Sequence, residues 1–237
     1  MRTALVTGGS SGIGLEFVRQ LLKQGHRVIA GSRAAESCEA LAALQGEHGG
    51  RLRALNVDVA SEASRRNLLE NVRVWAEQLD LLVNAAGIIS GDEENVSVFG
   101  ALDQEELART FFVNSIAPLM MTEAVFPLLA KGTRPMVLNL SSLNGSIARW
   151  DRPGKYSYTA SKAALNMITK GLSFELREAG IRVVAFHPGW VRTRMTRKEP
   201  APMEPEEAVG GMLRVADSLT LEDSGRFLDW QGNEVPW

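Results

Sequence analysis

The chain has 237 residues, of which 45% are hydrophobic, 23% charged and 6% aromatic. This composition is typical of a soluble globular protein, and the formal net charge of −2 gives no electrostatic reason to expect nucleic acid or an anionic membrane as a partner. The single cysteine, Cys38, cannot form an internal disulfide, which favours a reducing compartment. A strand-like run begins at Thr3 and leaves no room for a signal peptide, and no apolar run approaches the roughly 18 residues of a membrane span. We therefore expect a cytoplasmic protein.

Short β-branched runs alternate with longer amphipathic stretches along the whole chain. The short runs are continuously apolar, which is typical of strands covered on both faces of a parallel sheet. Strand–helix repetition of this kind predicts an α/β fold, a doubly wound parallel sheet flanked by helices. The predicted strands span 3–7, 27–31, 51–56, 79–84, 136–141 and 181–186, and the predicted helices lie near 13–24, 35–46, 62–78, 104–130 and 155–179.

Prolines mark two segments of the chain. Pro118 and Pro127 fall inside 104–130, where they either kink or split the predicted helix. The segment 188–208 carries four prolines and many charges, and it is interpreted as a surface loop followed by a helix that begins near Pro205. A segment after a late strand lies at the carboxyl edge of the sheet, where ligands bind. The loop is therefore a candidate lid, with an ordinary surface insertion as the alternative.

The first strand leads directly into TGGSSGIG (7–14), which is followed by the helical run LEFVRQLL. Gly8, Gly12 and Gly14 permit a tight turn, and the free N–H groups at the start of the helix favour a pyrophosphate. Glycine-rich turns are common, but a position between a strand and a helix is the context that a dinucleotide site requires. The motif predicts a dinucleotide cofactor.

The end of the second strand, VIAGSR, indicates which dinucleotide binds. A site that prefers NAD usually places Asp or Glu here to bind the ribose hydroxyls, whereas this chain has Ser32 and Arg33. The planar guanidinium of an arginine suits the oxygens of a 2′-phosphate. We therefore expect NADP(H) to be preferred over NAD(H), with a solvated surface arginine as the alternative.

The chain resembles the short-chain dehydrogenase/reductase family in motifs that span nearly its whole length in the family's order. These motifs are TGGSSGIG, NAAG (84–87), the asparagine of VNSIAP, the serines of NLSS, YTASK (158–162) and PGWVRT (188–193). The resemblance implies one Rossmann-type dinucleotide-binding domain over 1–237. Four stretches, NLSSLNGSIARW, SKAALNMITK, HPGWVRT and SGRFLDWQGNEVPW, are most similar to the C-factor and Sniffer-type carbonyl reductase branch.

The resemblance also bears on assembly. The segments 104–130 and 155–179 are similar to those through which relatives form homodimers and homotetramers, and we expect one of these states. The alternative is that their amphipathic faces pack only on the protein's own sheet.

The stretch KYSYTASKAAL holds both tyrosines of the chain, Tyr156 and Tyr158, with Lys162 shortly after them. Residues i and i+4 share one face of a helix, so Tyr158 and Lys162 can meet, whereas Tyr156 points elsewhere. A nearby ammonium favours the phenolate, so the pattern predicts that Lys162 lowers the pKa of Tyr158 from its free value near ~10. The resemblance assigns Tyr158 as the general acid/base and has Lys162 also hold the nicotinamide ribose.

Two further polar residues complete the expected catalytic group. Asn114 matches the family's structural and proton-relay asparagine, with a buried helix-bending asparagine as the alternative. Ser142 is the candidate for binding the substrate oxygen, because it ends the apolar run MVLNLSS at the carboxyl edge of the sheet. It lies sixteen residues before Tyr158, a longer interval than is usual in the family, while Ser146 lies twelve and Ser141 seventeen before it. The choice between Ser142 and Ser146 stays open at this point.

The cofactor site that the resemblance implies extends along the carboxyl edge of the sheet. Ala85 stands where the family often has Asn, and Arg194 stands where it has an acid. Asp58 matches an adenine-contacting aspartate, unless it is a helix cap or a surface acid. The expected cofactor-binding residues are Gly8, Ser10, Ser11, Gly12, Ile13, Gly14, Ser32, Arg33, Asp58, Val59, Asn84, Ala85, Gly87, Tyr158, Lys162, Pro188, Gly189, Val191 and Thr193.

Two classes of function fit these residues. The first is an NADP(H)-dependent oxidoreductase that acts on a small-molecule carbonyl or secondary alcohol. The second is a cofactor-binding protein that senses nicotinamide redox state or signals through partners with little turnover. An intact Tyr158–Lys162 pair favours the first, because a pure binder does not need an activated phenol.

Metal and substrate are the remaining questions. The three histidines and one cysteine show no spacing that suggests a metal site, and His187 is interpreted as structural. The substrate stays open, because its pocket is predicted from the irregular segments 88–103, 143–155 and 190–205.

Overall fold

The computed structural model describes residues 1–89, 97–196 and 201–237. Within them, seven strands form one sheet in the order β3-β2-β1-β4-β5-β6-β7, and every neighbouring pair is parallel. The predicted doubly wound parallel sheet is confirmed. The strands are β1 (Thr3–Thr7), β2 (Arg27–Ser32), β3 (Leu52–Asn56), β4 (Leu81–Asn84), β5 (Met136–Leu140), β6 (Arg182–His187) and β7 (Phe227–Asp229).

Helices cover both faces of the sheet. One apolar cluster joins the sheet to α1, α2 and α7, and a second joins its other face to α3, α5 and α6. This two-sided cover explains why the central strands are apolar throughout rather than alternating. The helices are α1 (Gly12–Lys23), α2 (Glu39–His48), α3 (Glu62–Trp75), α4 (Gln104–Phe111), α5 (Ala117–Leu129), α6 (Tyr156–Glu175) and α7 (Pro205–Ser218).

The sheet reverses its winding between β1 and β4. From β1 the chain builds outward to β2 and β3, and from β4 it builds the other way. The loops after these two strands therefore diverge at the carboxyl edge and leave a crevice between them.

The predicted 104–130 helix is split by a π-helical turn at Phe112–Ile116, between α4 and α5. The N–H of Ala117 donates to the carbonyl of Phe112, five residues back. Pro118, which follows, has no N–H to offer the carbonyl of Asn114, so the normal α-helical bond is lost there. Pro127 lies inside α5 without breaking it.

The segment Gln104–Leu129 is long and apolar enough to cross a membrane by length and composition, which the sequence prediction missed. More than half of its apolar window, 56%, is buried inside the protein. It therefore packs as the core helix of a soluble protein does.

Several boundaries differ from the sequence prediction, and one strand was not predicted. The strand β7 is only three residues long and ends in a charged residue, so it lacks an apolar run. A backbone hydrogen bond from Val235 N to Phe227 O returns the last segment beside it. The predicted helix 35–46 begins four residues late, at Glu39, because turns follow β2.

Candidate active site

A cleft of about 1120 Å³ opens at the carboxyl ends of β1, β2 and β4. Its walls come from the glycine loop, the turns after β2 and β3, and the segment after β4. Thirteen of the sequence-predicted cofactor residues line it: Gly8, Ser10, Ser11, Gly12, Ile13, Gly14, Ser32, Arg33, Asp58, Val59, Ala85, Gly87 and Thr193.

The glycine loop needs its glycines for close packing. Gly8 has a φ of +69°, and a Cβ there would lie 2.9 Å from the backbone nitrogen of Ala86. A Cβ on Gly14 would lie 2.2 Å from the carbonyl oxygen of Gly8. At both positions the backbone packs directly against backbone, which leaves no room for a side chain. The first residues of α1, Gly12–Gly14, consequently line the cleft.

The far end of the cleft, after β2, carries the polar groups expected for the ribose. The hydroxyl of Ser32 is buried and has no hydrogen-bond partner among the described residues. The side chain of Arg33 is exposed and lines the cleft. Asp58 uses one carboxylate oxygen to accept from the N–H of Ala60, at 2.9 Å, and so caps its own turn while it lines the wall.

Several lining residues were missed by sequence reasoning. Ser37 and Cys38 follow the β2 turn, and the thiol of Cys38 lies 3.6 Å from the carbonyl oxygen of Ser10. Arg109, on α4, and Val113, in the π-helical turn that follows it, also line the cleft and lie about one helical turn apart. The one usable signal was the four-residue interval between Arg109 and Val113 in a predicted helix.

The structure places Asn84 differently from the prediction. Its side chain is buried, and its amide donates to Asn139 Oδ1 at 2.8 Å and to Pro118 O at 3.5 Å. The amide therefore joins β4 to β5 inside the protein rather than lining the cleft. The structure assigns this side chain a scaffold role, because its donor is used by the neighbouring strand.

The residues of the PGWVRT motif divide between wall and scaffold. Thr193 lines the cleft, whereas Pro188 and Val191 are buried and Gly189 lies against Met203. Val191 and Met203 form a parallel bridge that closes this part of the 188–208 loop. Residues 197–200 of that loop, and 90–96 of the predicted substrate wall, lie outside the described residues.

Tyr158 and Lys162 lie on one face of α6 at the carboxyl edge of β5. The Tyr158 side chain is 9% exposed, and the ammonium nitrogen of Lys162 is 5.8 Å from the centre of its ring. Tyr156 is 43% exposed and takes no part in this pair. The helical spacing thus separates the two tyrosines as predicted.

The prediction that Lys162 lowers the pKa of Tyr158 is wrong for this structure. Burial raises the pKa of Tyr158, and a hydrogen bond from the Ser142 side chain opposes that rise only in part. The ammonium of Lys162 is directed at the carbonyl oxygen of Leu140, 2.7 Å away, and not at the phenol. Burial also lowers the pKa of Lys162 to about 8. Desolvation therefore sets the direction of the pKa shift at both groups.

The structure brings Ser142, and not Ser146, to the phenol. The side chain of Ser142 hydrogen-bonds with Tyr158 and also accepts from the N–H of Asn144 at 3.2 Å. The hydroxyl of Ser146 donates instead to the carbonyl of Pro236 at 2.5 Å. Ser146 is thereby committed to the returning C-terminal segment.

Buried hydrogen bonds fix the turn that carries Ser142. The hydroxyl of Ser141 donates to Asn166 Oδ1 at 2.6 Å, and the amide of Asn166 donates to Gly145 O at 3.1 Å. A Cβ on Gly145 would lie 2.8 Å from the backbone of Lys162, so the turn packs directly on α6. The longer interval between Ser142 and Tyr158 is accommodated beyond this turn.

Asn114 is fully buried in the π-helical turn. Its amide accepts from the N–H of Ile88 at 2.8 Å and donates to Ile88 O at 2.9 Å and to Ser161 Oγ at 3.1 Å. It therefore joins the segment that follows Gly87 to α6. This geometry suits the structural part of the role that the resemblance implied.

His187 ends β6 beside the register position of Asp229. Its Nδ1 is buried and has no hydrogen-bond partner in the part of the chain that the structure describes, and burial lowers its pKa to about 4, so the ring is neutral at physiological pH. Among the described residues there is no group of three or more His, Cys, Asp or Glu side chains that could hold a metal ion.

The model of the short chain dehydrogenase family matches residues 2–204 of this chain. The chain belongs to this family. Among its relatives, the C-signal protein of Myxococcus xanthus is 44% identical over 162 residues, which cover 67% of this chain and 93% of that protein.

Two solved structures of the family are very similar to this one. The NADPH-bound carbonyl reductase from chicken fatty liver has a TM-score of 0.91 and 35% identity, over 100% of this chain and 99% of its own. The carbonyl reductase Sniffer of D. melanogaster has a TM-score of 0.92 and 29% identity, over 100% of both chains. The predicted membership of the short-chain dehydrogenase/reductase family, in the C-factor and Sniffer-type branch, is confirmed.

Proposed function

We propose that this protein is an NADP(H)-dependent oxidoreductase that reduces the carbonyl group of a small molecule, or oxidises the matching secondary alcohol. The observation that carries the proposal is the pairing of a buried phenol with a buried lysine and a serine hydroxyl beside a dinucleotide-sized cleft. The NADPH-bound chicken carbonyl reductase, similar over its full length, supports the same chemistry.

The cleft fits a dinucleotide. The glycine loop leaves a cradle that a single Cβ would fill, and the buried hydroxyl of Ser32 lacks a partner at the far end. The residues that would hold the cofactor are the thirteen predicted ones that line the cleft, with Tyr158 and Lys162 beside it. When bound, NADP(H) supplies or accepts a hydride at its nicotinamide ring.

We assign the preference for NADP(H) over NAD(H) to Arg33. Its exposed side chain lines the cleft, and the described lining contains no acidic residue directly after β2 to bind both ribose hydroxyls. A guanidinium pairs with a 2′-phosphate through two parallel hydrogen bonds.

The proton is handled by Tyr158. Burial raises the pKa of this phenol, so it carries its proton at neutral pH and can donate it to a substrate oxygen as a carbonyl becomes an alcohol. The Ser142 hydroxyl lies beside the phenol and would bind the same substrate oxygen. The Lys162 cation, held by the carbonyl of Leu140, then stabilises the phenolate that remains. The protonated phenol is the form that carbonyl reduction requires.

The proposal is tested by following NADPH absorbance with a panel of aldehydes and ketones. We expect turnover by the wild-type protein, a loss of about 10³-fold in kcat/KM for Tyr158→Phe, and little change for Tyr156→Phe. Tyr156 is the matched control, because it lies on the same helix with an exposed ring. Equal effects of the two changes would contradict the role of Tyr158.

The similarity to C-signal favours one second candidate, a cofactor-binding signalling or redox-sensing protein with little turnover. Tight binding of NADPH, with no turnover across the panel, would favour this candidate over the first.

We also propose that the protein is cytoplasmic and forms a homodimer or homotetramer, and light scattering would test the oligomeric state. Limited proteolysis would test whether 1–237 is a single domain. Protection of 188–208 from proteolysis when the cofactor binds would test its role as a lid.

A further inference from the structure

The turn Thr193–Thr196 at the mouth of the cleft is held rigidly by its own hydrogen bonds. The N–H of Thr193 donates to Thr196 Oγ1 at 2.9 Å, and the N–H of Met195 donates to Thr193 Oγ1 at 3.1 Å. Thr196 Oγ1 donates in turn to the carbonyl of Val191 at 2.7 Å. The backbone that carries Arg194 is thus fixed by side chains on both sides of it.

This turn faces the glycine loop. A Cβ on Gly12 would lie 3.4 Å from Thr193 Cγ2, so the Thr193 side chain lies close to the start of α1. Gly12 begins α1, and the preceding Ser11 makes no side-chain cap to the first N–H groups of that helix. The uncapped start of α1 and the 193–196 turn therefore line the same part of the cleft.

Arg194 places a positive charge at this part of the cleft. It is exposed and lines the cleft, and none of the described residues forms a hydrogen bond or ion pair with its guanidinium. The glycine loop itself, Thr7–Gly14, contains no basic residue. The other lining arginines come from different walls, Arg33 after β2 and Arg109 on α4.

We propose that Arg194 binds the diphosphate of the dinucleotide cofactor, opposite the start of α1. The inference rests on the proposed function, because it concerns the same cofactor. Backbone N–H groups and the helix dipole favour phosphate oxygens from one side, and a guanidinium supplies two directed donors from the other. Arg33 and Arg194 then divide the phosphates between them, the 2′-phosphate and the diphosphate.

The test measures dissociation constants by fluorescence titration or calorimetry at fixed ionic strength, independently of turnover. Three probes separate the phosphates: NADPH, 2′-phospho-ADP-ribose and 2′-AMP. We expect Arg194→Gln to raise the dissociation constants of NADPH and 2′-phospho-ADP-ribose about tenfold, since both contain the diphosphate. That of 2′-AMP, which lacks it, should stay within twofold.

Two further variants separate a directed contact from general charge. Arg53→Gln removes the same charge from an exposed position on β3 that does not line the cleft, and it should leave all three constants within twofold. Arg194→Lys keeps the charge without the planar fork, and it should give an intermediate loss. Unchanged melting temperatures would show that each variant is folded.

The outcomes are distinct. Dissociation constants within twofold of wild type for NADPH and 2′-phospho-ADP-ribose in Arg194→Gln would overturn the inference and leave the proposed function standing. An equal loss for 2′-AMP would also overturn it, because the effect would then not belong to the diphosphate. A wild-type protein that binds none of the probes would overturn the proposed function and the inference together.

Discussion

The proposed cofactor cleft and the proposed catalytic group lie at the same edge of the sheet but are built in opposite ways. The cleft is made of close-packed backbone and exposed side chains, such as Gly8, Gly14 and Arg33. The catalytic group is made of buried polar side chains, among them Tyr158 and Lys162, whose pKa values are moved by burial.

The difference follows from the two tasks. A large polyanion needs an open space with N–H groups and cations on its walls, and water there does little harm. Proton transfer needs a phenol and an ammonium whose protonation is set by a dry environment. Substitutions in the first region should therefore act on cofactor affinity, and those in the second on turnover and pH dependence.

The largest effect on cofactor affinity is expected from Gly14→Ala in the cleft. The new Cβ would lie 2.2 Å from the carbonyl oxygen of Gly8, so the loop must move and the cradle with it. We expect the dissociation constant for NADPH to rise more than about 100-fold, together with a lower melting temperature. Gly46→Ala is the control, because nothing lies within 4 Å of a Cβ there in α2, and it should stabilise the protein by about 0.5–1 kcal/mol.

Next comes the contrast of two serines in the catalytic region. Ser142→Ala removes the hydroxyl bonded to Tyr158 and should lower kcat about 100-fold with little change in NADPH affinity. Ser146→Ala removes the bonds to the carbonyls of Pro236 and Trp237 and should cost about 1 kcal/mol of unfolding free energy with kcat nearly kept. Steady-state kinetics and thermal melts check both, and the reverse order of kcat values would move the oxygen-binding role to Ser146.

A smaller change, confined to the cofactor, is expected for Arg33→Asp. Loss of the guanidinium and gain of a carboxylate should raise the KM for NADPH about tenfold or more while sparing NADH. Kinetics with both cofactors check this. Equal effects on NADPH and NADH would contradict the assignment of the 2′-phosphate to Arg33.

The smallest effect concerns stability and comes from Lys162. Its pKa is 10.5 when exposed and about 8 when folded, so below pH 8 the folded state carries a buried charge. Between pH 8 and 10.5 the unfolded state binds more protons, so this group makes the free energy of unfolding rise with pH. Lys162→Met should stabilise the protein at pH 7 by about 1–2 kcal/mol, less than the full penalty because the bond to Leu140 is also lost.

Chemical denaturation at pH 7 and pH 10 measures this change. Lys170→Met, on the same helix but only partly buried, is the control and should shift stability by less than about 0.5 kcal/mol. The gain in unfolding free energy of Lys162→Met over wild type should be larger at pH 7 than at pH 10. A larger gain at pH 10 would contradict the prediction.

Sequence reasoning worked where local pattern decides the outcome. The six apolar strands and the strand–glycine–helix unit at Thr7–Gly14 were predicted, because the covered sheet and the glycine turn each leave a local signature. The strand β7 was missed, because it pairs only through β6 and has three residues. The sign of the Tyr158 pKa shift was also missed, because burial and the direction of the Lys162 ammonium depend on residues distant in the chain.

The π-helical turn at Phe112–Ile116 limits how the length of this chain can vary. Such a turn accommodates one residue more than a regular α-helix would place between the same ends. Removing that residue would restore standard helical bonding, but it would swing the Asn114 amide by about 100° around the helix and away from Ile88. Such a deletion would thus release the segment at Ile88, which lines the proposed cofactor cleft. The number of residues in this helical segment is therefore constrained by the site as well as by helix packing.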